Sequence, residues 1–411
     1  MCIASVVTRF AFLIALLSAP LSAGAELALA EAERLALEQA PWFAHHRSNV
    51  EAAAERVVYE SRLPDPQLVV GALNVPTDSY RLNQEDMTMT MVGVRQSFPP
   101  GDTLALKGQR AQKELTREQA KLEAERRNLL KQVRQTWLEI HFQEESLRLL
   151  QATQRLLQKQ LEAAEGRYRA AGDMQQSMLR ARQALARVNE REPMVKAQIA
   201  RARATLGRWI GAAAAEALPA TRPGLPVPAA GFDPAQHPDW LASEAMQGAA
   251  RLEVDMAREE YKPGWMVDLS YGFRRPMPDG TERPNMVTAM VTVDLPVFRS
   301  KRQDRRLAEK QALESGARHE TEDKRRELEA MHTAARAEYD ALSARAKIFE
   351  EQLLPALRRE TQVTVAGFAR DQIEYRDAQM KTLEAEQEYA RLRADQAKTQ
   401  AELLYLTGEP S

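Results

Sequence analysis

The chain has almost no cysteine. Among its 411 residues only Cys2 carries a thiol, and it falls inside an N-terminal export signal. Arg9 supplies the positive charge of that signal, Phe10 to Leu17 its apolar run, and Ala23-Gly24-Ala25 a small-x-small cleavage site. The mature chain is expected to start at Glu26, with no disulfide and no thiolate metal site. Past the leader there is no run of about 18 apolar residues, so no transmembrane helix is expected. Basic excess is also missing. The formal charge of −1 becomes −2 when Arg9 leaves with the signal, which makes nucleic acid a poor partner. Aromatic residues are 6% and charged residues 28%, a balance that suits long solvated helices better than one large globular core.

No catalytic constellation is present, so the chain reads as not an enzyme and no cofactor is expected. Six histidines are scattered at His45, His46, His141, His237, His319 and His332. Adjacent residues on a helix point about 100° apart, so His45 and His46 do not form the i, i+4 clamp a metal prefers. The histidines are read as surface residues without a metal role. Of the methionines, Met87, Met89 and Met91 are the candidates for soft-metal contact, against the plainer reading of lipid-facing or lumen-filling side chains.

What the chain does have is one module written twice. Pro41-Trp42 recurs as Pro238-Asp239-Trp240, Pro66 as Pro263, Phe98-Pro99 as Leu295-Pro296, and Leu206 to Gly211 as Leu403 to Gly408. All four landmarks share an offset of 197 residues. The reading divides the chain into a signal at 1–25, a first repeat at 26–211, a linker at 212–237 rich in Ala, Pro and Gly, and a second repeat at 238–411. A tandem repeat of this kind builds a wall around something, which points to a conduit rather than a catalyst.

Each repeat reads as helix, strand, strand, very long helix, helix. In the first, a helix over 28–62 breaks early at Pro41, strands run over 66–75 and 87–98, a helix fills 104–165, a break covers Gly166 to Gly172, and a helix fills 174–208. In the second, the corresponding spans are 239–262, 265–274, 285–298, 303–364 with a turn near Gly367, and 372–406. Helices 28–62 and 174–208, end to end, match the length of helix 104–165 and are expected to lie along it. The long helices carry narrow apolar seams. One runs through Leu130, Val133, Trp137, Ile140, Leu147, Leu150, Leu157, Leu161, Ala164 and Tyr168, the other from Leu328 through Ala335, Leu342 and Phe349 to Leu353. Such helices need neighbours. Pro355 is expected to kink the second long helix inward.

The strands separate a conduit from a plain coiled coil. Trp265, Val267, Leu269, Tyr271 and Phe273 alternate with Met266, Asp268, Ser270, Gly272 and Arg274. Val287, Ala289, Val291 and Val293 alternate with Thr288, Met290 and Thr292. About nine residues with aromatics at the ends fit an outer-membrane strand in an exported protein, with Trp265, Val267, Leu269, Tyr271, Phe273, Val287, Val291 and Val293 facing lipid. The alternation is less clear in the first repeat. Four strands cannot close a barrel, and open sheet edges are not tolerated in lipid. The chain must therefore share its barrel with copies of itself, and the count alone allows a dimer of eight strands or a trimer of twelve.

At this point the sequence resembles the TolC-like outer-membrane efflux proteins over essentially the whole mature chain. The residues that carry the resemblance are Leu27 to Leu37, the strand-to-helix segment Val92 to Gly101, the turn Arg167 to Gly172, and Asp377-Ala378-Gln379. The resemblance implies a mainly α fold with a membrane β-barrel portion, in which long helices form an α-barrel and a homotrimer closes a shared 12-stranded barrel. It implies a place in the outer membrane with a large periplasmic extension. It further implies an adaptor (a membrane fusion protein) and an inner-membrane pump, RND-type, as partners. Chain length and Phe98-Pro99-Pro100-Gly101 look more like the heavy-metal, CzcC- and CusC-like, branch than the drug branch.

Arg370, Glu374 and Asp377, spaced by four and three, share one helix face. By the resemblance they match the arginine and two acidic residues of the periplasmic aperture, which threefold symmetry turns into rings. The turns at Tyr168 and Gly172 and at Gly367 and Phe368 are the expected adaptor-docking points. Two departures stand in those turns: Arg180 where the family has an acidic residue, and Phe368 where it has its glycine, with Gly367 one place earlier. The competing readings are a periplasmic coiled-coil adaptor and a structural envelope protein.

Overall fold

The computed structural model describes residues 26–171, 175–229, 231–366 and 372–408. Helices α1 (Leu29–Gln39) and α2 (Pro41–Glu60) are split where Pro41 supplies the first position of α2. Proline fits there because its missing N–H would have no helical partner anyway. Strands β1 (Gln67–Leu73) and β2 (Met89–Phe98) follow, then α3 (Thr103–Ala171) and α4 (Gln175–Ile210). The second series is α5 (Pro238–Glu259), β3 (Trp265–Phe273), β4 (Met286–Val293), α6 (Gln303–Ile348), α7 (Leu354–Ala366) and α8 (Gln372–Thr407). At 69 residues, α3 is about 104 Å long. Gly211 and Gly408, which follow α4 and α8, both hold a left-handed φ, +62° and +80°. A glycine there ends a helix without the Cβ clash any other residue would meet.

The long helices carry the packing. α3 contacts α2, α4, α5 and α8, so α2 and α4 do lie along it, and α6 contacts α5 and α8. The largest core joins Leu27, Leu29, Ala32 and Ala36 to Val133, Trp137 and Ile140 of α3 and to Leu206 and Ile210 of α4. Inside it the Trp137 indole donates to the carbonyl of Leu27 at 3.0 Å. Leu328 and Ala335 of α6 form a second core with Leu403 and Leu406 of α8. The seams hold in their middles and fray at their far ends. Val133, Trp137, Leu150, Leu157 and Ala164 are buried, while Tyr168 and Leu353 are exposed. At one point the polar Ser146 is buried while its neighbour Leu147 is only partly so.

Four expectations need correction. The first long helix does not break at Gly166; α3 continues to Ala171. A lone glycine costs a helix about 1 kcal/mol, too little to end one held along its length by packing. The second strand of the second pair stops at Val293 rather than 298. Asp294 still donates to the carbonyl of Gly264, but Pro296 has no N–H and Val297 turns back onto Leu295. Ahead of Pro355 the helix takes a π-helical turn at Phe349–Leu353. Leu354 donates five residues back to Phe349, so the ladder has already slipped when the missing proline N–H arrives. α4, by contrast, runs through an interior proline, Pro193. The linker is bonded to α8: Arg222 donates to the carbonyl of Arg393, and Gln400 to those of Leu225 and Pro226.

The fourth concerns histidine. His45 and His319 are exposed, but His141 and His237 are buried. His141 stacks on Trp137 and lies 3.3 Å from the carbonyl of Ala220. His237 caps α5, its Nδ1 accepting from the N–H of Asp239 at 3.2 Å. Their rings serve as apolar faces with one satisfied nitrogen, which the adjacency argument for His45 and His46 could not show.

Candidate functional site

The four strands form one antiparallel sheet in the order β1-β2-β3-β4. The two hairpins therefore meet at β2–β3, and β1 and β4 are open edges. Register decides which residues share a face. Val92 lies opposite Val70 and Tyr271, Val94 opposite Leu68 and Leu269, and Phe98 opposite Trp265. Tyr271, Leu269, Val267 and Trp265 lie opposite Val287, Ala289, Val291 and Val293. Directly opposed residues point the same way, so all eight residues singled out on β3 and β4 lie on one apolar face, which Leu68, Val70, Val92, Val94 and Phe98 extend across the first hairpin. Neither of those first-hairpin strands showed this alternation on its own.

The opposite face is polar and crowded. Arg95 and Asp268 sit across from each other there, paired at 2.6 Å. Met89, Met91, Met266, Met286 and Met290 share that face by the same register. Met87 precedes β2 and is exposed. A Cβ placed on Gly93 would come within 2.6 Å of the Ser270 Cβ, and one on Gly272 within 2.5 Å of the Met89 sulfur. Side chains converge on the concave side of a rolled sheet and spread on the convex side. The glycines thus suit a polar concave face and an apolar convex one.

Beyond one end of the strands, two arginines tie the connecting loops together. Arg283 is buried and has no carboxylate partner among the described residues. Its guanidinium donates instead to the carbonyls of Arg275 and Glu85, both at 2.6 Å, and to that of Asp86 at 3.2 Å. Arg274 donates to the carbonyl and the carboxylate of Asp86. The loop of the second hairpin therefore holds the loop of the first through backbone oxygens.

At the other extreme are the helix ends. Tyr168 stands exposed in the last turn of α3. Asp377 is exposed on α8, and Glu374 lies one turn before it on the same helix. Arg370, Gly172, Gly367 and Phe368, like the Glu374 side chain, lie outside the described residues. Beside Asp377 a groove of about 1180 Å³ runs between the α3–α4 and α7–α8 pairs, lined by Gln154, Asn189, Glu192, Arg376, Gln379 and Thr382 among others. Gln154 donates to Glu192 at 2.9 Å and Gln379 to the hydroxyl of Tyr375 at 2.6 Å. Hydrogen bonds from Gln154 and Lys196 hold the Glu192 carboxyl below the usual carboxylate range. Among the described residues no cluster of three or more His, Cys, Asp and Glu is placed to hold a metal ion.

Sequence reasoning gave no role to Arg95, Arg274, Arg283 or the groove. The one available signal for the groove was glutamine and threonine at positions where a helical seam would carry leucine.

Residues 33–212 match the model of the outer membrane efflux protein family. No curated protein matches the chain. Solved channels match it over nearly its full length. CusC superposes with a TM-score of 0.76 at 16% identity, covering 94% of this chain and 93% of that one. The open state of MtrE from Neisseria gonorrhoeae gives 0.76 at 17% identity, covering 93% and 89%. VceC from Vibrio cholerae gives 0.76 at 15% identity, covering 93% and 96%. The resemblance to TolC-like outer-membrane efflux proteins is thus borne out, in sequence over the first repeat and in fold over the whole chain.

Proposed function

We propose that this chain, a TolC-like outer-membrane efflux protein in its first repeat and in its fold, is one third of a passive export duct. Three copies close twelve strands into a barrel in the outer membrane, and their helices line a tunnel across the periplasm. The observation that supports this best is the sheet: one face apolar across all four strands save for Thr90 and Gln96 on β2, the other polar with the Arg95–Asp268 pair, and both edges open. An open edge leaves unpaired backbone groups that hydrocarbon does not tolerate, so the edges must meet other edges. On this reading Trp265, Val267, Leu269, Tyr271, Phe273, Val287, Val291 and Val293 face lipid.

At the periplasmic end, Arg370, Glu374 and Asp377 form rings around the aperture, where acidic rings favour cations. The turns at Tyr168 and Gly172 and at Gly367 and Phe368 receive the adaptor, which links the duct to an inner-membrane pump of RND type. The Phe98-Pro99-Pro100-Gly101 segment and the five methionines on the polar face favour a metal cation as cargo over a drug. The test is a deletion strain grown against copper, silver, zinc, cobalt and cadmium and against drugs and dyes. Selective loss of metal tolerance is the expected result. Selective drug sensitivity overturns the metal cargo and leaves the duct.

A further inference from the structure

The joint between the two repeats inside the chain is a template for the joint between copies. At the inner joint Phe98 stacks on Trp265 with ring centroids 4.0 Å apart. The N–H of Asp102 donates to Glu259 at 2.7 Å, and Lys262 bonds the same carboxylate at 2.6 Å. Each of these residues has a counterpart 197 positions away on a free edge. Phe98 and Trp265 become Leu295 and Leu68, which are among the most exposed apolar side chains of the protein, at 72% each. Asp102, Glu259 and Lys262 become Arg299, Arg62 and Asp65. Every charge in the triad has changed sign, so the set stays complementary within itself. Arg62, Asp65 and Arg299 are exposed, and none makes an ion pair among the described residues.

Register adds an independent check. Carrying the β2–β3 pairing over to β4 and β1 sets Val293 opposite Val70, Val291 opposite Ala72 and Leu295 opposite Leu68. Val293, Val291, Val70 and Leu68 were placed on the apolar face by pairings within the chain alone. The transferred register keeps apolar opposite apolar, whereas a slip of one residue would set the apolar face of one strand against the polar face of the other.

We infer that β4 of one copy seats on β1 of the next in this register, with Leu295 against Leu68 of the next copy and Arg299 beside its Asp65. This rests on the reading of a shared barrel and names the surface that closes it. Arg299 then bridges to Asp65, which Arg62 steadies from its own chain, as Glu259 steadies Lys262 at the inner joint.

The test uses the full-length protein, which has no thiol once the leader is removed. Leu68→Cys combined with Leu295→Cys is oxidised in outer membranes and run on a non-reducing gel. Directly opposed residues bring their Cβ atoms to about 4.5–5.5 Å, diagonal ones to about 7–8 Å. The expected result is a covalent oligomer from this pair and its loss from the shifted pair Val70→Cys with Leu295→Cys. Cross-linking of the shifted pair alone overturns the register. No cross-linking from either pair, in protein whose native mass is oligomeric, overturns the interface while leaving the duct reading in place. A monomeric native mass overturns both. In a second arm, Asp65→Arg and Arg299→Asp each lower the temperature at which the oligomer dissociates in detergent, and the double change restores it. Failure to restore removes the charge pair from the interface.

Discussion

The indole of Trp265 and the ring of Phe98 lie stacked, 4.0 Å between centroids and 11° from parallel, where the last residue of β2 meets the first residue of β3. This contact lies across the seam between the hairpin of one repeat and the hairpin of the other, at the end of the sheet that leads into the helices. Such a pair contributes about 0.5–1.5 kcal/mol beyond its buried area. Trp265→Ala should lower the dissociation temperature of the oligomer by several degrees, while Trp265→Phe, which keeps a stacking ring, should lower it less. Heat-modifiable mobility on a semi-native gel reads the difference.

Much of this sheet could be read from the alternation in 265–273 and 286–293, because side chains in a strand point alternately and only one face is apolar. The first hairpin could not. Leu68-Val69-Val70 runs without alternation, and Met87, Met89 and Met91 alternate with threonines before Gly93 and Arg95 blur the pattern. Only pairing with β3 sorts them, which is information held between repeats and not within a segment. The long helices were legible from proline spacing and seam, but the helix past Gly166 and the π turn before Pro355 were decided by packing and backbone bonding. The groove beside Asp377 was invisible because it lies between helices far apart in sequence, and the roles of Arg274 and Arg283 because they bind backbone carbonyls, which carry no sequence signature.

Glycine packing on the polar face gives a sharp steric prediction. Gly93→Val places a Cβ within 2.7 Å of the carbonyl of Leu269 and 2.6 Å of the Ser270 Cβ, so β2 and β3 cannot keep their pairing. The variant should fail to accumulate in the outer membrane. Gly316→Ala, with nothing within 4 Å and a helical backbone, should be stabilising by up to about 1 kcal/mol. Immunoblots of membrane fractions, with thermal melts of the purified proteins, check both.

His237 gives a pH dependence. It is buried, its Nδ1 accepts the Asp239 N–H, and Tyr405 packs edge-on against it while donating to Asp239. Burial, only partly offset by Asp239 and reinforced by Arg127 and Lys324, lowers its pKa from 6.5 to about 4. The folded protein therefore keeps this ring neutral where the unfolded chain protonates it. The contribution is complete above pH 6.5 and is lost as the pH falls toward 4, by about 3 kcal/mol at most. His237→Asn keeps a helix cap but does not titrate. Its Tm should fall less between pH 7 and pH 4.5 than that of the wild type, and equal slopes would remove His237 from the account.

The arginine ties between the hairpin loops predict a local effect. Arg283→Ala removes the charged donor from the carbonyls of Arg275, Glu85 and Asp86. Hydrogen bonds from a charged donor contribute about 1.5–3 kcal/mol. Loops 74–88 and 274–285 should separate, and protease added to intact cells should nick the variant faster than the wild type. The oligomer's dissociation temperature should change little, because the strands are untouched.

The most direct test of the duct is ion conductance of the purified, oligomeric protein in a planar bilayer, compared with the double variant Glu374→Ala, Asp377→Ala. The account predicts discrete channel steps that multivalent cations block in the wild type, and larger steps that resist the block in the variant. Bilayers that stay silent with both proteins, inserted as intact oligomers, would contradict it.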